Sequence, residues 1–180
     1  MKHYFSFPII ALLSVIMLAA TSCKHGHYLD NEGLKVGDTL PEFVVTSLDG
    51  KATTSAPIAA YHSGEPYGLL TFRGDCTSCE ALLRLIARVM IKNERTIPIV
   101  AVSLCSKEET IAYLSEIGIL DMMEVYLAGA KTVYDISGDT LPMLAVFNDE
   151  GVVSACIHRE QYTEKKLAEI LVIPANGEEE

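Results

Sequence analysis

Cys76 and Cys79, three residues apart, are the side chains in this sequence best suited to do chemistry. They close the run Gly68-Leu69-Leu70-Thr71-Phe72-Arg73-Gly74-Asp75-Cys76-Thr77-Ser78-Cys79. Beyond them Leu82, Leu85, Ile86, Val89 and Met90 recur at helical spacing, which predicts that Cys79 lies in the first turn of an amphipathic helix. Unpaired N–H groups and aligned peptide dipoles at a helix N-terminus favour negative charge, so a thiol placed there gains thiolate character. Cys76 is therefore the expected attacking sulfur. The i, i+3 spacing lets Cys79 resolve a mixed disulfide formed on Cys76.

Two other uses of the pair stay open. A zinc site would call for a second C-x-x-C or a spaced histidine pair, and neither follows; Cys105 and Cys156 stand apart from each other. No metal and no cofactor is expected. A structural disulfide suits an oxidising compartment, although so short a loop removes little chain entropy.

The elements that must position the pair can be read outward from it. Tyr67 to Phe72 is an apolar strand, and Ile97 to Leu104 is apolar on both faces, as a central parallel strand covered by helices would be. Ser106 to Ile117 reads as a helix with Ser106 as N-cap and Glu108 and Glu109 near its positive end. Phe43 to Leu48, the Asp49-Gly50 turn signal and Lys51 to Ser55 make an entry hairpin, and Pro57 to Pro66 reads as irregular. Met123 to Leu127 is a short strand and Lys131 to Ile136 a helical turn. Met143 to Phe147 and Val152 to Ile157 form a second hairpin, and Tyr162 to Leu171 is a closing amphipathic helix ended by Pro174. The expected fold class is α/β.

The chain opens with Lys2, an apolar run from Phe5 to Ala20, and the small residues Ala19-Ala20-Thr21-Ser22 before Cys23, the pattern of a secretory signal. It resembles a bacterial lipoprotein signal, which implies that Cys23 becomes the lipidated first residue of a chain anchored on the periplasmic side of a membrane. An ordinary cleaved signal with an incidental Cys23 is the other reading, and both export the protein. His25 and His27 read as solvated spacer. The expected organisation is a signal peptide over 1–22, a tether over 23–35, one domain over 36–174 and an acidic tail over 175–180. Removing 1–22 takes away one of the 14 Lys and Arg and none of the 24 acids, leaving a formal charge of −11 on about 158 residues. That length suits one domain, and that charge argues against a nucleic-acid partner, since phosphate binding needs basic patches.

Val36-Gly37-Asp38-Thr39-Leu40-Pro41-Glu42-Phe43, the strand entering Cys76-Thr77-Ser78-Cys79, and Pro142 ahead of an apolar strand and Asp149-Glu150-Gly151 resemble the exported thioredoxin-like disulfide reductases of the TlpA and ResA type. The resemblance covers residues 36–171. It implies a thioredoxin fold, a central mixed sheet flanked by helices with an added N-terminal hairpin, and it implies that Pro142 is a cis proline facing the disulfide. A cis bond there would let the Leu141 backbone meet a partner's extended chain beside Cys76. Envelope proteins carrying disulfides would be the substrates, and a membrane-embedded thiol donor would supply electrons.

Departures from that family pattern are specific. Asp75 stands where Trp is usual, and the chain has no Trp. A carboxylate there opposes thiolate formation while Arg73 favours it, or Asp75 caps the helix. Leu70 occupies the position of a buried Asp in thioredoxins, and Met143 stands where Thr is common. Cys105, at the end of the central strand, reads as structural, with a third redox thiol as the alternative. Cys156, His62 and His158 read as structural. Three functions follow: a membrane-tethered thiol-disulfide oxidoreductase, a thiol peroxidase, or a binding lipoprotein that keeps the pair as a staple. The peroxidase is disfavoured because Arg73 stands where peroxiredoxins need a Thr.

Overall fold

The computed structural model describes residues 33–158 and 161–174, all within the unit Asn31–Glu180. The signal segment 1–22, Cys23, His25, His27 and the acidic tail 175–180 lie outside the described residues. Seven strands form one mixed sheet: β1 (Val44–Ser47), β2 (Ala52–Thr54), β3 (Tyr67–Phe72), β4 (Ile99–Ser103), β5 (Glu124–Leu127), β6 (Met143–Phe147) and β7 (Val153–His158). Their spatial order is β2-β1-β5-β4-β3-β6-β7. β3, β4 and β5 run parallel, while β1 and β6 join that trio antiparallel from either side. Among the described residues five α-helices accompany them: α1 (Ser55–Tyr61), α2 (Thr77–Lys92), α3 (Lys107–Ile117), α4 (Ala130–Ser137) and α5 (Glu164–Leu171).

Every residue of β3, β4 and β6 is buried, because helices cover the sheet on both sides. Alternation along β3 divides the core: Leu70 and Phe72 join one cluster with α2, Leu114 of α3 and α5, while Tyr67 and Leu69 join another with Ile58 of α1 and Val133 and Ile136 of α4. On α2 the buried residues Cys79, Leu82, Leu83, Ile86, Ala87 and Val89 form one stripe; Leu82, Ile86 and Val89 are as the spacing predicts, while Leu85 and Met90 lie half-buried at its edge. Each fully buried Leu or Ile in it is worth about 1.5–3 kcal/mol of transfer free energy.

Local signals set the helix ends. Ser106 caps α3 through a reciprocal capping box with Glu109, and Gly118 closes it at a φ of 82°. Thr163 caps α5 by accepting from Lys166 N–H. The turn into β7 is held by Asn148 Oδ1, which accepts from the N–H groups of Glu150 and Val152.

Two stretches differ from the sequence reading. α1 occupies Ser55–Tyr61, where an irregular segment was expected from Pro57. Pro57 falls in the first helical turn, where its missing N–H is an orphan in any case, and Ile58 is drawn into the core. Ser55 joins the segment to the chain entering β1 by donating to Pro41 O and accepting from Phe43 N–H. Gly33 and Leu34, assigned to the tether, are packed instead. Leu34 is buried and its N–H donates to Ile136 O at 2.8 Å, and a Cβ on Gly33 would lie 2.5 Å from Gly138 N. Among the described residues no helix is long and apolar enough to cross a membrane.

Candidate functional site

The site forms where β3 ends. Phe72 pairs with Ser103 of parallel β4, and Leu104 N–H donates to Phe72 O at 3.0 Å, so the chains leaving both strands run side by side. Gly74 N–H then donates to Cys105 Sγ at 2.9 Å, which ties the approach to Cys76 to the turn after β4. Cys105 is half-buried in that bracing position. On the other side of β3, Thr71 pairs with Met143 at the start of β6, which brings Leu141 and Pro142 to the same end of the sheet. The Leu141–Pro142 peptide is cis, and the Leu141 carbonyl oxygen lies 4.0 Å from Cys76 Sγ.

Cys76 is the N-cap of α2: its sulfur accepts the Cys79 N–H at 3.2 Å. Asp75 therefore does not cap the helix. It faces outward and binds Arg73, with Nε to Oδ1 at 2.5 Å and Nη2 to Oδ2 at 2.8 Å. The carboxylate and guanidinium expected to act on Cys76 in opposite directions bind each other. Ser78 Oγ stands 3.2 Å from Cys76 Sγ, and Tyr162 OH donates to Ser78 O at 2.9 Å, holding the turn between the cysteines.

The two thiols are chemically unlike. Partial burial opposes ionisation of Cys76, but hydrogen bonds from the Cys79 thiol, the Ser78 hydroxyl and the Cys79 and Ser78 backbone outweigh it and hold Cys76 below the usual thiol range. Cys79 is fully buried, and burial first, then its contact with Cys76, pushes its thiol far up. Both are free thiols in this structure. A groove of about 280 Å³ opens over Cys76, walled by Arg73, Thr77, Ser78, Tyr134, Asp139 and Leu141.

The structure thus brings Arg73, Asp75, Cys76, Cys79, Leu141 and Pro142 to one end of the sheet. Ser78 and Tyr162 were not singled out from sequence. The position of Ser78 inside the motif was a usable signal, whereas nothing in the sequence ties Tyr162 to the motif. Cys156 lies away in β7, where its thiol donates to Leu34 O at 3.2 Å. His62 is buried against Tyr67, ring centroids 4.8 Å apart, with Nε2 3.4 Å from Glu124 Oε2. Among the described residues no group of three or more His, Cys, Asp or Glu could hold a metal ion.

No family model and no curated protein matches the chain. Solved structures do. A secreted Mycobacterium tuberculosis disulfide oxidoreductase homologous to E. coli DsbE superposes with a TM-score of 0.57 at 14% identity, over 71% of this chain and 92% of that one. A thiol:disulfide interchange protein of the thioredoxin family from Chlorobium tepidum TLS gives 0.55 at 20% identity, over 77% and 96%. The chain has the thioredoxin fold. A thiol peroxidase from Chromobacterium violaceum shares it as well, with a TM-score of 0.59 at 14% identity over 76% and 86% of the two chains. Within a thioredoxin fold built this way, β3 supplies the approach to the cysteine pair, α2 the cap and β6 the facing proline.

Proposed function

We propose that this protein is a membrane-tethered thiol-disulfide oxidoreductase that reduces disulfides of envelope proteins on the periplasmic side of a bacterial membrane. The asymmetry of the pair carries the reading: a half-exposed, hydrogen-bonded Cys76 at a helix cap in front of a fully buried Cys79. The Cys76 thiolate attacks one sulfur of a substrate disulfide, forming a mixed disulfide and expelling the other sulfur as a thiolate. Cys79 then attacks Cys76 Sγ, closing the Cys76–Cys79 disulfide and releasing the second substrate thiol. The substrate gains two electrons and the protein loses two, so a membrane thiol donor is needed to restore the dithiol. The groove beside Cys76 suits an extended peptide laid against the Leu141 carbonyl.

Export and tethering rest on the signal-like run and on Cys23, which would bear the lipid; the secreted Mycobacterium tuberculosis structure of the same fold agrees with export. Insulin reduction with dithiothreitol as electron source tests the activity, with peroxide consumption run beside it. Turnover of insulin that disappears in Cys76→Ser supports the proposal, and peroxide consumption without insulin reduction would replace it with a peroxidase. The reduction potential fixes the direction: a value near roughly −270 mV marks a reductant and one near roughly −120 mV an oxidant. Incorporation of labelled palmitate, abolished by Cys23→Ala, tests the anchor.

A further inference from the structure

Resolution by Cys79 faces an obstacle that the cysteine pair itself does not remove. The sulfur must become a thiolate to attack Cys76, yet it sits at zero exposure in a cluster of Leu70, Phe72, Leu82, Leu83 and other apolar side chains. An uncompensated buried thiolate is strongly disfavoured.

A polar group faces that cluster from α3. Tyr113 packs against it, with its ring stacked on Phe72 at a centroid distance of 6.1 Å, and its hydroxyl is buried with no hydrogen-bond partner among the described residues. Buried hydroxyls are normally paired, so an orphan calls for an explanation. The ring also abuts the motif's approach, since a Cβ on Gly74 would lie 3.8 Å from Tyr113 Cγ. Burial pushes the hydroxyl's pKa up, the charges of Cys79, Glu80 and Cys76 act in the same direction, and Arg84 opposes them. Glu80 and Arg84 are bound to each other at 2.8 Å. Glu109 and Glu116, on the hydroxyl's own helix, line the open cleft that also holds part of the Tyr113 ring.

Building on the oxidoreductase reading, we infer that the Tyr113 hydroxyl serves the Cys79 sulfur, donating a hydrogen bond to it as it becomes a thiolate in the resolving step. In that step Cys79 S–H gives up its proton, its electron pair forms the bond to Cys76 Sγ, and the Cys76–substrate S–S bond breaks. The departing substrate thiolate takes up a proton, so the step is neutral overall. Tyr113 neither gains nor loses a proton. It holds the charge while it exists, and it returns to an unpaired hydroxyl once the disulfide has formed.

Mixing the reduced protein with one equivalent of 5,5′-dithiobis(2-nitrobenzoate) in a stopped-flow instrument separates the two steps. Attack by Cys76 releases the first coloured thiolate and resolution by Cys79 the second. Tyr113→Phe keeps the ring on Phe72 and removes only the hydroxyl. The expected result is an unchanged first phase, a second phase slowed about tenfold at neutral pH, and a second-phase pH profile moved upward, the scale set by losing a hydrogen bond to a charged group. A second phase that superimposes on the wild type overturns the role, as does an equal change in both phases, which would mean a displaced loop. A wild-type protein without any second phase would instead remove the oxidoreductase reading itself.

Discussion

Arg73 and Asp75 grip each other at two points, Nε to Oδ1 at 2.5 Å and Nη2 to Oδ2 at 2.8 Å, one residue ahead of the Cys76 thiol. Each holds the other in its charged form, Asp75 below and Arg73 above its ordinary range. Their fields at Cys76 oppose each other, and with Asp75 exposed and Arg73 partly so, solvent screens both and the net effect on the thiolate is small. Asp75→Asn leaves the guanidinium uncompensated and speeds alkylation of Cys76 by iodoacetamide at neutral pH. Arg73→Gln leaves the carboxylate and slows it. Each change is expected to be roughly two- to threefold, in keeping with exposed charges, and the double variant to return close to wild type.

Ser78 supplies a hydrogen bond inside the motif. The reactive form of Cys76 is the thiolate, so its alkylation rate rises as pH climbs through its pKa, which lies below the ordinary thiol range because donors favour the anion. In Ser78→Ala one donor is gone, the inflection moves to higher pH, and the rate at neutral pH drops by roughly three- to tenfold. An unmoved inflection would show that the backbone N–H of Cys79 suffices.

The unequal burial of the two thiols gives opposite outcomes for their removal. Cys79→Ser leaves Cys76 able to attack but unable to be released, so mixed disulfides with substrate accumulate and are visible on non-reducing gels. Cys76→Ser leaves a fully buried thiol and gives none. Accumulation in both variants would contradict the assignment of attacking and resolving roles.

A stability test lies at the end of β4. Ser103 and Thr110 are fully buried and share a hydrogen bond at 2.7 Å, and Ser103 Oγ also accepts the Cys105 N–H at 3.1 Å. Ser103→Ala orphans both partners, with an expected cost of about 1–3 kcal/mol in urea unfolding. Because Cys105 braces Gly74, the same variant is expected to loosen the approach to Cys76 and to raise the protease sensitivity of that loop.

Where chemistry is encoded by neighbours in the chain, sequence was sufficient. Tyr67–Phe72 as a strand, Cys79 in the first turn of α2, the doubly buried β4 and the Ser106 cap all follow from periodicity and capping within a few residues, and the structure has each of them. The cysteine spacing pointed to a redox use of Cys76 and Cys79, which remains the proposal made above, and the resemblance alone suggested the cis bond at Pro142, which the structure has. Tertiary structure decided the rest. The burial of Ile58 turned Ser55–Tyr61 into a helix, Ile136 drew Leu34 out of the tether, and a choice of rotamer bound Asp75 to Arg73 and left the cap to Cys76. The placement of α3 and the closing segment over α2 brought Tyr113 to the Cys79 cluster and Tyr162 to Ser78. The Tyr162–Ser78 hydrogen bond joins residues 84 positions apart along the chain, and only the packing of whole elements fixes such a distance, because no local pattern carries information about which side chain arrives from elsewhere.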